Sequence, residues 1–379
     1  MTYSSPESEY LVTLLRCAIK QEKPPKAPEG MDFKELARLS KKQQVYSVIV
    51  PVIDLASVPS EIAEELQVYS QNELLRMLAM KTELEEIEKD LEKNEIKFML
   101  LKGSVIRDYY PLQKMRQMSD FDILYDESKR ESLIEIMNGR GYNLFSCGEN
   151  SDDFSKKPFY TFEFHRELFF NEHTFYPDFS DVWDNAQPDS KNPYMYHMSD
   201  EDLYLHTVAH MYKHYILGGF GIRFMADIYV LLEHFGKTFN REYVDFKLEK
   251  MALTSFEKEV RELSYAVFDG TDFTEGQIAF LNDVMSFGIY GSGEGGAKVY
   301  YDEYVAKSGK TGVAGYYLSK VFPNKKFMIQ TYPVLEKKPY LLPFCYVKRL
   351  LHKFIYDRKN IIKGIKSLKK SLKEQETRD

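Results

Sequence analysis

The chain has 379 residues, 44% hydrophobic and 29% charged, which suits a globular protein with room for more than one core. Its net charge of −7 argues against a general nucleic-acid coat, and its N-terminus, MTYSSPESEY, lacks the basic-then-apolar order of a secretion signal. No apolar run approaches the roughly 18 residues of a membrane span, and three widely spaced cysteines, Cys17, Cys147 and Cys345, suggest neither a disulfide framework nor a zinc cluster, so a cytoplasmic location is expected.

The first ninety residues read as helical. SEYLVTLLRCAIK has helical apolar spacing, DFKELARLSKKQQVYSVIVPVIDLA follows with a break expected at Pro51, and a long amphipathic segment opens at Ser60 as a candidate cap. The pattern changes at Lys97. KFMLLKGS reads as a buried strand running into a glycine turn, VIRDYYP as a helix start closed by Pro111, and FDILY as a second strand. ESKRESLIEIMNGRGY is a helix ended by Gly139 or Gly141, YNLFS a third strand, and the alternating FYTFEFHRELFF a fourth, after a polar stretch. Helices return with SDEDLYLHTVAHMYKHYI, capped by Ser199, then RFMADIYVLLEHF and EYVDFKLEKMALTSFEKEVRELSYAVF. The expected organisation is α+β: a helical region over 1–90, a small mixed-sheet core over 91–175, a helical domain over 195–270, and a mixed region with a basic tail over 271–379. That tail, Val347 to Asp379, holds 11 Lys/Arg against 4 Asp/Glu; it reads either as a solvated terminal helix or as a contact for an anionic partner.

Side chains two apart on a strand share a face. Asp120 and Asp122 are therefore expected to project together while Phe121 and Ile123 face a core. Two carboxylates this close repel, and a divalent cation between them relieves the repulsion; a solvated strand edge is the competing reading. Gly103 and Ser104 stand where a strand passes into a helix, which offers backbone N–H groups to a phosphate, with Lys102 and Arg116 as nearby cations.

These residues, in the order LKGS, YYP, R, SDFDILY and the later EFH, resemble the nucleotidyltransferase fold of the DNA polymerase beta superfamily, and within it a bacterial branch of uncharacterised members. The resemblance extends to a downstream helix pair, HTVAHMYKHYILGGFGIRFMADIYVLL, and covers most of the chain. It implies a third carboxylate on an adjacent strand, a place that Glu163 fills with His165 on the same face. It also implies catalysis by Asp120, Asp122 and Glu163 holding two Mg²⁺ ions (Mn²⁺ being the alternative), a nucleoside triphosphate seated by Lys102, Gly103, Ser104 and Arg116, and transfer of its nucleotidyl group to an acceptor hydroxyl with release of pyrophosphate, an EC 2.7.7-like reaction. Sugars, other small molecules, protein hydroxyls and RNA ends are all open as acceptors, with nucleic acid disfavoured by the negative body.

His206, His210 and His214 recur every four residues and share a helix face. Position 207 is Thr, so the zincin pattern fails, and the stripe is expected either to face the substrate cleft opposite Arg223 and Asp227 or to be hydrogen-bonded within a core. GSGEGG at 291–296 matches the dinucleotide-binding fingerprint only on paper and reads as a mobile loop, and SGKTG at 308–312 resembles a phosphate loop but lacks its first glycine and reads as a turn. Two other kinds of protein fit the sequence: a nucleotide-binding regulator or toxin–antitoxin-like component that binds a partner protein, and a helical scaffold with an incidental Asp-x-Asp.

Overall fold

A computed structural model of the chain describes residues 3–148, 150–169, 177–236 and 239–289, together with parts of 301–356. The loop 291–296 lies outside the described residues, as do most of 308–312 and the tail beyond Tyr356.

Four helices come first: α1 (Pro6–Lys20), α2 (Phe33–Lys42), the short α3 (Tyr46–Ile49) and α4 (Ser60–Lys93). Ser5 and Asp32 cap the first two by accepting backbone N–H groups of their first turns. The cap expected at Ser60 is displaced by one residue. Pro59 holds the N-cap position, its carbonyl accepts from Ala63, and Ser60 begins the helix without a side-chain cap. The sheet and its helices follow as β1 (Phe98–Leu101), α5 (Gly103–Ile106), β2 (Phe121–Tyr125), α6 (Arg130–Gly139), β3 (Asn143–Cys147), β4 (Ser151–Lys156), β5 (Tyr160–His165), α7 (Val182–Asn185), β6 (Gln187–Pro188) and β7 (Met195–His197). Then come α8 (Asp200–Gly218), α9 (Arg223–Phe235), α10 (Arg241–Lys250), α11 (Thr254–Asp269) and α12 (Glu275–Phe287). The segment expected as one helix is two, because Ala252 takes a left-handed conformation (φ +55°) and ends α10.

Seven strands form one mixed sheet in the order β3-β4-β5-β2-β1-β7-β6. β2 pairs antiparallel with β1 and parallel with β5, so these three strands make its centre. β4 occupies the polar stretch SDDFSK. Its Asp152 is fully buried, but Arg130 meets both carboxylate oxygens at 2.8 Å, with Arg166 at 2.9 Å, Tyr125 Oη at 3.1 Å and Cys147 Sγ at 3.2 Å. A buried carboxylate with this many partners is tolerated within a strand that hydropathy alone does not reveal.

Strand alternation sends two sets of side chains to two cores. Phe98, Phe121, Ile123, Tyr125, Phe162 and Phe164 pack on one face against the C-terminal half of α4 and against α6. Met99, Leu101 and Leu124 point to the other face and join a larger core that α1–α3 share with α8–α12. Glu163 and His165 alternate with Phe162 and Phe164, and Asp122 with Phe121 and Ile123. These polar residues are thereby placed on the face covered by the helical body.

Candidate active site

The site begins where β1 ends. Lys102 links β1 to α5 with φ +52° and ψ −129°, a conformation that glycine adopts readily and L residues rarely. Its carbonyl accepts from the N–H groups of Val105 and Ile106, which fixes the bend, and its side chain crosses to β2, where Nζ lies 2.7 Å from Asp122 Oδ1. A non-glycine residue held this way costs roughly 1–3 kcal/mol and persists only where its surroundings enforce it. Gly103 answers to crowding instead: a Cβ there would stand 2.8 Å from Met118 Sδ and 3.4 Å from Arg116 Cζ. The Ser104 hydroxyl is spent on the Leu101 carbonyl and so is not available to a ligand.

Asp122 and Glu163 are direct partners across the parallel β2–β5 pair. His165, two residues further on β5, brings Nε2 to 2.9 Å from Asp122 Oδ1 and 3.5 Å from Glu163 Oε1. Ligand-capable atoms of these three residues all lie within 4.8 Å of one another. His165 Nδ1 is buried and makes no hydrogen bond, so the tautomer with its proton on Nε2, donating to Asp122, leaves no N–H unsatisfied. Asp120 is the bend residue just before β2. It stands outside that three-residue cluster but on the same cavity wall as Asp122 and Glu163.

The electrostatics divide the acids. Burial opposes ionisation of Asp122, but the Lys102 ammonium and the His165 hydrogen bond outweigh it and hold this carboxyl well below its usual range. Burial pushes Asp120 up to about 7, and the charges of Asp122 and Glu163 push the same way. Burial likewise works to discharge Lys102, yet Asp122, Glu163 and Asp120 together prevail and raise its pKa. Acids shifted in opposite directions within one cleft mark a candidate site for divalent cations and acid–base chemistry. The donor set, the carboxylate oxygens of Asp120, Asp122 and Glu163 on one cavity wall, fits Mg²⁺ or Mn²⁺.

These acids open onto a cavity of about 370 Å³ between the sheet and helices α8 and α9. Lys102, Gly103, Arg116, His210, Arg223 and Asp227 also line it. Arg116 and Asp227 are both buried and paired at 2.7 Å, with the Tyr110 hydroxyl 2.7 Å from the same Asp227 oxygen. Arg223 bonds Gln44 and the Gln117 carbonyl, tying α9 to the loop before β2. The guanidinium groups thus form a fixed positive wall. Ser104, His165 and His206 do not reach the cavity wall. His206 sits edge-on to Phe169 and Phe179, at 5.7 and 5.9 Å between ring centres, where burial lowers its pKa to about 3. Of the histidine stripe, His210 and His214 face the cavity, and burial keeps both neutral, His214 with a pKa near 4. Lys213 also lines the cavity and was not singled out from the sequence; its spacing of three residues from His210 on one helix is the signal that marks it.

The chain belongs to the family described as uncharacterised nucleotidyltransferase, whose profile matches residues 29–269. That span runs to the last residue of α11 and takes in every site residue named above, along with the N-terminal helices from α2 onward. Neither a curated protein nor a solved structure matches the chain significantly.

Proposed function

We propose that the protein moves a nucleoside monophosphate from a nucleoside triphosphate to an acceptor hydroxyl, releasing pyrophosphate. The reading rests on one observation above all: Asp122 and Glu163 are register partners on neighbouring strands, with Asp120 beside them, on a cavity that Lys102, Lys213 and Arg223 also line. Asp120, Asp122 and Glu163 would hold the divalent ions, which on binding supply charge neutralisation for the phosphates and a more acidic acceptor hydroxyl. Lys102 lies within reach of both the acids and a triphosphate on the Gly103 turn, so its ammonium can pass from Asp122 to phosphate oxygens. Arg116 and Arg223, already anchored, provide positive potential without moving. The acceptor oxygen attacks the α-phosphorus, its proton leaves by way of Glu163, the bond to the β-phosphate bridge breaks, and pyrophosphate departs along the cationic wall. Incubation with labelled triphosphates, Mg²⁺ or Mn²⁺ and a library of sugars, small alcohols and proteins tests this. Pyrophosphate release is expected from the wild type, and equal release by Asp120→Ala/Asp122→Ala would refute the assignment.

A second reading is a nucleotide-binding regulator without turnover. It is favoured by the Lys102–Asp122 contact, which neutralises one acid from within the chain. Tight triphosphate binding by calorimetry, with no pyrophosphate released to any acceptor, would select it over the first.

A further inference from the structure

The helix Leu342–Tyr356 carries exposed apolar side chains in its first three turns. Its Cys345, with Leu341, Leu342 and Tyr346 beside it, packs on Met328 and Leu335 in a small core of its own. Tyr340, just before the helix, and Phe344, Val347 and Leu351 on it are 70, 72, 55 and 58% exposed. The last three recur at i, i+3 and i+7, one continuous stripe. Lys348, one turn beyond Phe344, is exposed beside it.

The sequence around this stripe is strongly charged with one sign. Val347 to Asp379 carries 11 Lys/Arg against 4 Asp/Glu, a net +7 in a chain of net −7, so the remaining residues sum to −14. Among the described residues no helix is long and apolar enough to cross a membrane. A bare aromatic and aliphatic stripe on a basic segment is the pattern of a helix lying in a membrane interface, its apolar side entering the acyl boundary and its cations meeting headgroups. An RNA partner would account for the lysines but would leave Val347 and Leu351 in water.

We infer that the helix Leu342–Tyr356, with the basic tail that follows it, docks the protein on an anionic lipid surface through Phe344, Val347 and Leu351. The test uses the full chain in co-sedimentation with vesicles of phosphatidylcholine alone and of phosphatidylcholine and phosphatidylglycerol in equal parts. Binding is expected only to the second kind and should fall with added salt. Phe344→Glu/Val347→Glu/Leu351→Glu, all exposed positions, should weaken binding about a hundredfold or more with an unchanged melting temperature and unchanged pyrophosphate release. Lys369→Gln/Lys370→Gln should weaken it about twenty-five-fold, at roughly fivefold per cation. No binding to anionic vesicles, or equal binding to both kinds, would overturn the inference. So would a wild-type dimer that the triple variant converts to monomer, or RNA binding, in either case without vesicle binding.

Discussion

Lys102 is the residue whose replacement separates structure from chemistry most cleanly. Lys102→Ala keeps a Cβ at φ +52° and so keeps the backbone strain, while removing the ammonium 2.7 Å from an Asp122 that is 8% exposed. Stripping a buried carboxylate of its cation costs about 3–5 kcal/mol, and here His165 at 2.9 Å retains part of the compensation, so the loss should fall near 3 kcal/mol. Lys102→Gly loses the same ion pair but relaxes a backbone worth roughly 1–3 kcal/mol, against about 0.5–1 kcal/mol for the looser unfolded chain. The glycine variant should therefore be the more stable of the two by about 1 kcal/mol, on the order of 2 °C in melting temperature for a chain of this size. Both variants free Asp122 for a divalent ion. Thermal unfolding with and without Mg²⁺ or Mn²⁺ should show a larger metal-induced rise for either variant than for the wild type. If glycine is no better than alanine, the backbone is unstrained; if the metal-induced rise is the same in all three, Lys102 does not compete for the cation site.

Three further outcomes follow from the same geometry. Arg116→Ala strands the buried Asp227 with only the Tyr110 hydroxyl and should cost about 3–5 kcal/mol by denaturant unfolding; a loss under about 1 kcal/mol would mean that the pair is not structural. Gly103→Ala drives a Cβ to 2.8 Å from Met118 Sδ, and since a thioether can swing aside the cost should be about 1–3 kcal/mol, largely recovered in Gly103→Ala/Met118→Ala; no recovery would place the clash elsewhere. Asp120, with a pKa raised to about 7, must give up its proton to a cation, so divalent-ion affinity by calorimetry should rise about tenfold per pH unit up to pH 7 and then level off, and a flat profile would exclude Asp120 as a ligand.

Much of this site was legible because strand alternation is a strict rule. The period of two put Asp122 opposite Phe121 and Glu163 opposite Phe162, and both pairs divide between site and core as that period requires. What periodicity does not carry is the partner of each side chain. Ser104 and Arg116 sit where chain order suggested, yet the Ser104 hydroxyl turns back to Leu101 within its own turn, and the Arg116 guanidinium meets Asp227, a contact made only once α9 packs on the loop before β2. Strand β4 was hidden because its two aspartates read as loop, and only the approach of Arg130 and Arg166 from elsewhere makes Asp152 a buried strand residue. The histidine stripe showed one helix face but not that α8 rotates His206 into a nest of rings while His210 and His214 reach the cavity.

Two devices balance the acids of the site. Lys102 lends a cation to Asp122, the acid with the most hydrogen-bonding support, while Asp120 has a pKa raised to about 7 because burial, and after it the charges of Asp122 and Glu163, oppose its ionisation. Since Asp120 binds its proton more tightly folded than unfolded, its own contribution to stability is lost as pH rises from 3.8 toward 7, the opposite of the usual behaviour of a paired carboxylate. A divalent ion removes both needs together. On the proposed function it would take the place of the proton on Asp120 and of the ammonium on Asp122, leaving Lys102 free to meet a triphosphate at the Gly103 turn. Metal and nucleotide binding should therefore reinforce each other through this one side chain, each improving the other's affinity by the same factor.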